Sequence, residues 1–581
     1  MMQAEEIPTT ILVIVAGILI GGVAIAKIAE RYKVPHPLPL VITGLIMGRV
    51  LVFFNPTSPL VQIAGFDFIA QITLATVLFY AGLTLNLREL RLSLVNVLLL
   101  ATIGVLATSL IGGWMLQIST AAIAIPIGVA AFLIGAILSP TDPAALFAVL
   151  ETGGVRVKRK LFSILEGEAV LNDATSVILV ITVFEPIVIA ELANIAGIIN
   201  WGLIAGEFLA SMGLGIVLGF IVARGVGWAI PRAGNDTNVS ILTATTPFLA
   251  YGLGELFTIF YIHPGALAAV FTGIFMANAR RTGLKPLPQR SMRRVMKNVS
   301  FFFEIVVFIL LGYTLSVPLI EGDRSTETIA FILANPAIMT LGLVMAILVI
   351  LVARPISVFL VTAGDRAMGI KERFFLSWAG VKGVASAALA AIAVTVIIRF
   401  SHILGGQTQV DYVTAIKIVV PTVYAVVFIV LLVSLVVQGL TTSYLANRLG
   451  LIEEKDEAKE ITVHRNATRQ ALLQLVDEYT EGKIDAEMYG RFKAELEEEI
   501  FNLEAELRRI VSVRRRQIKE LSVSEMIYRK KLEIYEKEYE SGKISEAVYQ
   551  DLKNQLEAEI EEIINRIERH ESRIKYEPEE T

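Results

Sequence analysis

Two short stretches carry residue types that do not belong in apolar surroundings. SPTDP, Ser139 to Pro143, interrupts one apolar run, and LEGEAVLNDATS, Leu165 to Ser176, places Glu166, Glu168 and Asp173 within eight residues just ahead of another. An ionisable side chain at membrane depth is expensive and is by default a functional residue. Pro140 and Pro143 each remove a backbone donor and clash with the preceding turn, which breaks the helix between them. Broken backbone survives at that depth only where it is buried in protein or lines a cavity, and half-helix ends of this kind build ion sites. Asp142 sits in the break, placed to offset a positive half-helix N-terminus. Thr141 offers a hydroxyl and a carbonyl to an ion. A proline kink with Asp142 as its cap is the simpler alternative, and one residue can do both.

In the second stretch Glu168, Asn172 and Ser176 are four apart and share a helix face. Asp173 lies about 140° round from Glu168, so the two carboxylates have different roles. Asp173, followed by a long apolar run, is the candidate to hold a transported ion, with Thr141 as a second Na⁺ ligand. Glu166, nearer a basic loop, is read as a funnel residue on the cytoplasmic side or as simply solvated. Two bases complete the set: Arg354 in LVILVARPISVFLV and Lys382 in LSWAGVKGVASAALA. An intramembrane base needs a partner, and Glu168 is assigned to Arg354. Lys382 lies between Gly380 and Gly383 in a second interrupted segment, seven segments after the first. That separation suits an inverted repeat with two crossed, interrupted helices. A cation there suits negative half-helix C-termini, either as a dipole neutraliser or in direct service of transport.

These residues imply a simple reaction cycle. A carboxylate in a low-dielectric site titrates nearer neutral pH than one in water and holds either a proton or a cation. Carrying the loaded site across the membrane gives exchange without covalent chemistry, so the chain is not read as an enzyme. The transported Na⁺ and H⁺ are its only small partners, with no resident cofactor. The alternatives are K⁺/H⁺ exchange and, from another class, a proton-coupled organic-solute symporter.

The elements that hold these residues are membrane helices. Of 581 residues 55% are hydrophobic and only 18% charged, against about 25% charged in soluble domains. The apolar residues run long enough to span a bilayer. Thirteen segments are expected: 8–30, 38–54, 67–85, 92–116, 121–150, 160–184, 201–228, 240–262, 264–280, 299–319, 336–362, 373–398 and 413–446. Basic residues collect in alternate loops, at Arg31 and Lys33, Arg88 and Arg91, Arg156 to Lys160, Arg224 and Arg232, Arg280 to Lys297, and Arg366 to Arg373. The other loops hold Glu185, Glu191, Glu321 and Asp323 with few bases. Because basic loops stay in the cytoplasm, the N-terminus is expected outside and the C-terminus inside a cell membrane. The acidic start, MMQAEEIPTT, argues that the first run is a retained helix and not a cleaved signal. There is no cysteine, and the five histidines lack metal-ligand spacing, so thiol chemistry is excluded and a zinc or haem site is not expected. No nucleic-acid partner is expected.

The membrane part is assigned to residues 1–450 and a charged helical tail to 451–581. The tail holds 23 basic and 33 acidic residues, a net of −10 against +6 for the rest. It repeats with a sixty-residue shift: EYTEGKIDAEMY from Glu478 matches EYESGKISEAVY from Glu538. Gly482 and Gly542 suit left-handed C-caps, and Asp485 and Ser545 suit the following N-caps. The apolar spacing of Leu496, Ile500, Leu503 and Leu507 makes a coiled-coil seam. The tail is a solvated spacer or a dimerising, regulatory array.

Taken together, SPTDP, GEAVLNDA, ARPISVF and WAGVKGVAS resemble the monovalent cation:proton antiporter superfamily, in its family 1 branch of sodium/proton exchangers, over residues 8–450. The resemblance implies an all-α polytopic fold with a core of two crossed helices, a dimerisation domain, and homodimers working by alternating access in membrane lipid. It implies that Asp173 binds the ion or proton, that Asn172 marks electroneutral exchange, and that Glu168 pairs with Arg354. The sequence departs from it at Ala169, where many members have serine, and at Lys382, where many have arginine. Both bear on Na⁺ against K⁺ preference.

Overall fold

The computed structural model describes residues 9–32, 34–54, 63–91, 93–125, 127–142, 146, 150, 157–193, 199–318, 327–404, 415–452 and 457–574. Lys33, Pro143, Arg156, Glu321 and Asp323, used above, lie outside these. Among the described residues the chain is helical, with no strand and one isolated β-bridge, Val157 to Ile452. Chain contacts separate two units, 1–453 and 454–581.

Among the described residues of the first unit seven helices are long and apolar enough to cross a membrane: Phe66–Thr84, Leu94–Ala122, Arg159–Leu192, Trp201–Arg232, Gln289–Ser316, Pro336–Thr362 and Lys417–Arg448. Shorter apolar helices include Ala16–Ala29, Pro37–Val50, Gly265–Ala277 and Val384–Phe400. Their side chains sort by burial. The most apolar window of Lys417–Arg448 is 78% buried, which makes it central, whereas that of Trp201–Arg232 is 28% buried and turns Leu209, Val217 and Ile221 outward. Local signals set several ends. Asn200 and Asn235 cap the helices that follow them, accepting from Leu203 N and Asn238 N at 3.2 and 2.8 Å, which satisfies first-turn donors.

Several boundaries differ from the sequence expectation; the segment expected over 160–184 runs on as helix to Leu192 and takes in Glu185. The helix expected from 299 begins at Gln289 and takes in Arg290, Arg293, Arg294 and Lys297. Its first turns are amphipathic, and Arg293 Nε donates to Leu83 O at 3.1 Å, close to the C-terminus of Ile63–Thr84. A hydropathy criterion stops at the first run of bases, whereas the backbone hydrogen bonds continue through it.

Prolines leave a second signature. Among the described residues π turns occupy Leu100–Gly104, Leu179–Phe184, Val349–Ala353 and Ala415–Val419, and the last three are each followed, one residue on, by a proline: Pro186, Pro355 and Pro421. Proline cannot donate to the carbonyl four residues back, and the widened turn absorbs the mismatch inside a continuous helix. Glu185 and Arg354 stand at the residue between π turn and proline.

The helices pack in two groups. Pro37–Phe54 lies along Gln289–Ser316, and Gly265–Ala277 lies against both Ile63–Thr84 and Trp201–Ala229. In the other group Val105–Ala122 packs on Ala130–Ile137, and Pro336–Leu348 on Val420–Arg448. The first group closes on glycine. A Cβ on Gly312 would overlap Val41 O, and one on Gly44 would overlap Ile309 O, so these backbones meet where each helix lacks a side chain, as small residues allow in membranes.

The described residues of the second unit form three helices, Glu457–Thr480, Ala486–Glu540 and Glu546–Ile574, joined by two tight turns. The 55-residue middle helix carries the second arm of one repeat and the first arm of the next without a break. Gly482 and Gly542 both have φ of 72°, the left-handed conformation that costs a glycine nothing. The turns match in detail, with Tyr479 stacked on Tyr489 and Tyr539 on Tyr549 at 4.3 and 4.8 Å.

Gly312→Ala is expected to lower the thermal unfolding midpoint through overpacking worth about 1–3 kcal/mol, with Gly17→Ala, which meets no atom within 4 Å, as the neutral control. Equal midpoints for the two purified variants would show that the Gly44–Gly312 crossing carries no packing constraint.

Candidate functional site

The first interrupted segment runs as helix over Ala130–Ile137 and then loses regular structure through Ser139, Pro140, Thr141 and Asp142. The second runs as helix over Ile370–Trp378, opens through 379–383, and resumes at Val384. The two openings lie against each other. Asp142 N donates to Val381 O at 2.7 Å, and Asp142 Oδ2 accepts from Val384 N at 3.4 Å. Gly383 permits this approach, since a Cβ there would overlap the Asp142 carboxylate. Lys382 Nζ crosses the other way, donating to Pro140 O at 3.1 Å and Ser139 O at 3.4 Å. Those carbonyls follow the C-terminal end of Ala130–Ile137, where backbone acceptors are left over and a cation is favoured. Asp142 and Lys382 thus each neutralise freed backbone of the opposite segment.

Helix Arg159–Leu192 passes this junction with its centre buried. Glu168 Oε1 and Arg354 Nη2 are 2.5 Å apart with side chains 1% and 2% exposed, an ionic contact made off the usual hydrogen-bonding direction. The π turn ending at Ala353 and the proline after Arg354 set the position of that guanidinium. Asn172 Nδ2 faces Thr141 Oγ1 at 3.4 Å, and Asn172 Oδ1 accepts from Ser176 Oγ at 3.1 Å. Ser176 Oγ in turn lies 2.9 Å from Ser139 Oγ. Asn172 therefore ties the helix to the break.

Asp173 is left over. It is 4% exposed, and its Oδ1 has no hydrogen-bond partner among the described residues. Asp142, Lys382 and Glu168 all stand near enough for their charges to act on it. A buried carboxylate oxygen without a donor is poorly satisfied on its own and is suited to take a proton or a cation. Glu166, half-buried, lies two turns nearer the Arg159 end.

Sequence reasoning missed the support for the second opening. Lys382 N donates to Ser434 Oγ at 2.9 Å, Ser434 Oγ donates to Gln438 Oε1 at 2.5 Å, and Gln438 Nε2 donates to Trp378 O at 2.7 Å. Ser434 and Gln438 are polar residues four apart in the apolar run LLVSLVVQGL, and that spacing was the available signal.

With this geometry in hand, the comparisons with known proteins are decisive. Residues 15–448 match the family described as sodium/hydrogen exchanger, transmembrane. The chain belongs to the sodium/hydrogen exchanger family. It is similar to a Na⁺/H⁺ antiporter of Aphanothece halophytica, 26% identical over 80% of this chain and 79% of that one. It is also similar to a K⁺/H⁺ antiporter of Alkalimonas amylolytica, 28% identical over 80% of this chain and 71% of the relative. In fold it resembles the solved sodium proton antiporter MjNhaP1 of Methanocaldococcus jannaschii, with a TM-score of 0.62 at 22% identity, covering 76% of this chain and 99% of that one. The protein is thus a multi-pass membrane antiporter of monovalent cations and protons, a secondary transporter and not an enzyme.

Removing one partner of a buried ion pair strands the other charge, at a cost of about 3–5 kcal/mol. Glu168→Ala and Arg354→Ala are each expected to lower the thermal midpoint by that order. The double variant is expected to lose far less than the two single losses together, because contacting residues couple. Additive losses in the double-mutant cycle would mean the pair does not act as a unit.

Proposed function

We propose that this exchanger carries Na⁺ against H⁺ by alternating access, with Asp173 as the shared site. The supporting observation is the unpartnered Asp173 Oδ1 beside the junction of two interrupted helices, with Thr141 and Asn172 at the same place. A carboxylate there holds one cation or one proton, so loading by either excludes the other. K⁺ is the second reading, favoured by the K⁺/H⁺ relative and by Ala169, which offers no side-chain oxygen. Alternation of basic loops supports an N-terminus outside a cell membrane and a tail in the cytoplasm, with Glu166 in the inward funnel. A homodimer in membrane lipid completes the reading, the helical tail acting on transport from the cytoplasmic side.

The exchange is proposed to be one for one. Asn172 does not titrate, Glu168 is held by Arg354, whose guanidinium stays charged, and Asp142 is engaged with backbone at the opposite opening. Asp173 is then the carboxylate that cycles.

Asp173→Asn keeps size and removes charge. In proteoliposomes with an imposed pH gradient, uptake of labelled Na⁺ or K⁺ is expected to be abolished in a variant that still purifies folded, and retained uptake removes Asp173 from the mechanism. One displaced charge is worth about 2.3 kcal/mol per 100 mV. An imposed potential without ion gradients is therefore expected to drive neither cation accumulation nor a pH change, and a potential-driven response would refute one-for-one exchange and implicate Asp142.

A further inference from the structure

Seven carboxylates are buried among the described residues of the membrane unit: Asp67, Asp142, Glu168, Asp173, Glu185, Glu304 and Glu327. Most are accounted for. Asp67 meets Arg399 at 3.3 Å, Glu168 meets Arg354, Glu304 meets His36 at 2.9 Å, and Glu327 meets Arg49 at 2.6 Å. Asp142 accepts from the backbone of the opposite opening. Asp173 and Glu185 remain, each with a buried oxygen lacking any hydrogen-bond partner among the described residues, and neither is in a salt bridge there. Both lie on the one helix Arg159–Leu192.

They also share a face of it. Twelve residues of regular α-helix would rotate Glu185 about 120° away from Asp173. The π turn at Leu179–Phe184 takes up one extra residue, so the rotation is that of eleven steps and returns to about 20°. The separation along the axis is roughly 16–18 Å. Glu166, seven residues before Asp173, falls within about 20° of the same line. Pro186 directly follows Glu185 and is accommodated by this π turn, and the turn sets the alignment of Glu185. Between the two carboxylates Thr182 Oγ1 is also buried without a partner, whereas Thr175 on the regular part of the helix bonds back to Leu171 O at 2.9 Å. The segments containing Thr182 and Glu185 pack against Ala130–Ile137 and Val384–Leu404, the helices that lead into the two openings.

Resting on the proposed role of Asp173, we infer that Glu185 is a proton relay between Asp173 and the face at the Leu192 end, the outer face in the orientation given above. An unpaired carboxylate in apolar surroundings is costly to keep, and a purely structural role supplies no return for that cost. As a relay it takes a proton from water at the outer face and releases it toward Asp173 through water. The same steps run in reverse, and no covalent bond changes beyond O–H. Glu166 on the inner side and Glu185 on the outer side then flank Asp173 along one helix.

The experiment measures labelled Na⁺ or K⁺ exchange against the pH of the exposed face, in right-side-out and in everted membrane vesicles, for the wild type, Glu185→Gln and Asp173→Asn. For E185Q, turnover in right-side-out vesicles is expected to fall roughly a hundredfold, the lower end of what a positioned proton-transfer group contributes, with its dependence on external pH flattened. The profile from the inner face should keep its shape. The thermal midpoint should hold or rise, because a neutral amide replaces an unpaired charge. Wild-type exchange from both faces, or pH profiles altered equally from both, would overturn the relay. If E185Q does not assemble, the wild-type protein decides: modification of Glu185 by a hydrophobic carbodiimide at a rate set by outer-face pH sustains the inference, and absence of modification overturns it. D173N separates the two ideas. Exchange surviving in D173N sinks the Asp173 reading, whereas a dead D173N with a normal E185Q sinks the relay alone.

Discussion

The contact on which the site depends is the meeting of two unwound backbones. Peptide groups freed from a helix at membrane depth have no water to turn to, so each opening must find its partners in protein. Here each supplies the other: Asp142 N to Val381 O, Val384 N to the Asp142 carboxylate, and Lys382 to the carbonyls of Ser139 and Pro140. Gly383 is the steric condition for this exchange. Ser434 and Gln438 hold the second opening from the neighbouring helix, so three helices specify one junction. The junction's own charges are thereby compensated, and Asp173 beside it keeps an oxygen without a hydrogen-bond partner among the described residues.

Charge pairing elsewhere follows the same constraint. Arg354 and Glu168 are both almost fully buried, and either alone would be an uncompensated charge. Prolines help place such groups. Pro186 and Pro355 each follow a π turn by one residue, and a π turn rotates everything beyond it by about one residue step. In this helical protein the phase of a side chain is set as much by the prolines near it as by its own position in the repeat of 3.6.

The tail unit solves a different problem with the same secondary structure. What holds its helices is the seam of Leu503, Leu507, Leu556 and Ile560, together with turns closed by left-handed glycines and stacked tyrosines. Because the repeat arms run together into one 55-residue helix, two hairpins in sequence become three helices in space.

Much of this was legible in the sequence because membrane burial is unforgiving. A charge in a long apolar run, a proline pair around an aspartate, or a glycine-flanked lysine has few tolerable explanations, and Asp142, Glu168, Asp173, Arg354 and Lys382 were singled out on that ground alone. Helix positions followed broadly from hydropathy but their ends did not: the helix from Gln289 took in bases that a hydropathy rule treats as loop, and the helix from Arg159 ran on past 184 to Leu192. What sequence spacing did not disclose was which groups had already found partners. Whether a buried carboxylate is neutralised depends on residues hundreds of positions away, as with Glu327 and Arg49 or Glu304 and His36. Glu185 was read from the sequence as part of an acidic loop edge, because the expected apolar segment ended at 184, whereas the helix runs on to Leu192. The sequence by itself determined the class of protein and the residues able to do its chemistry, since transfer cost is local to a segment. Only the tertiary structure decided which of them are left unpaired, because pairing is a property of the packed chain.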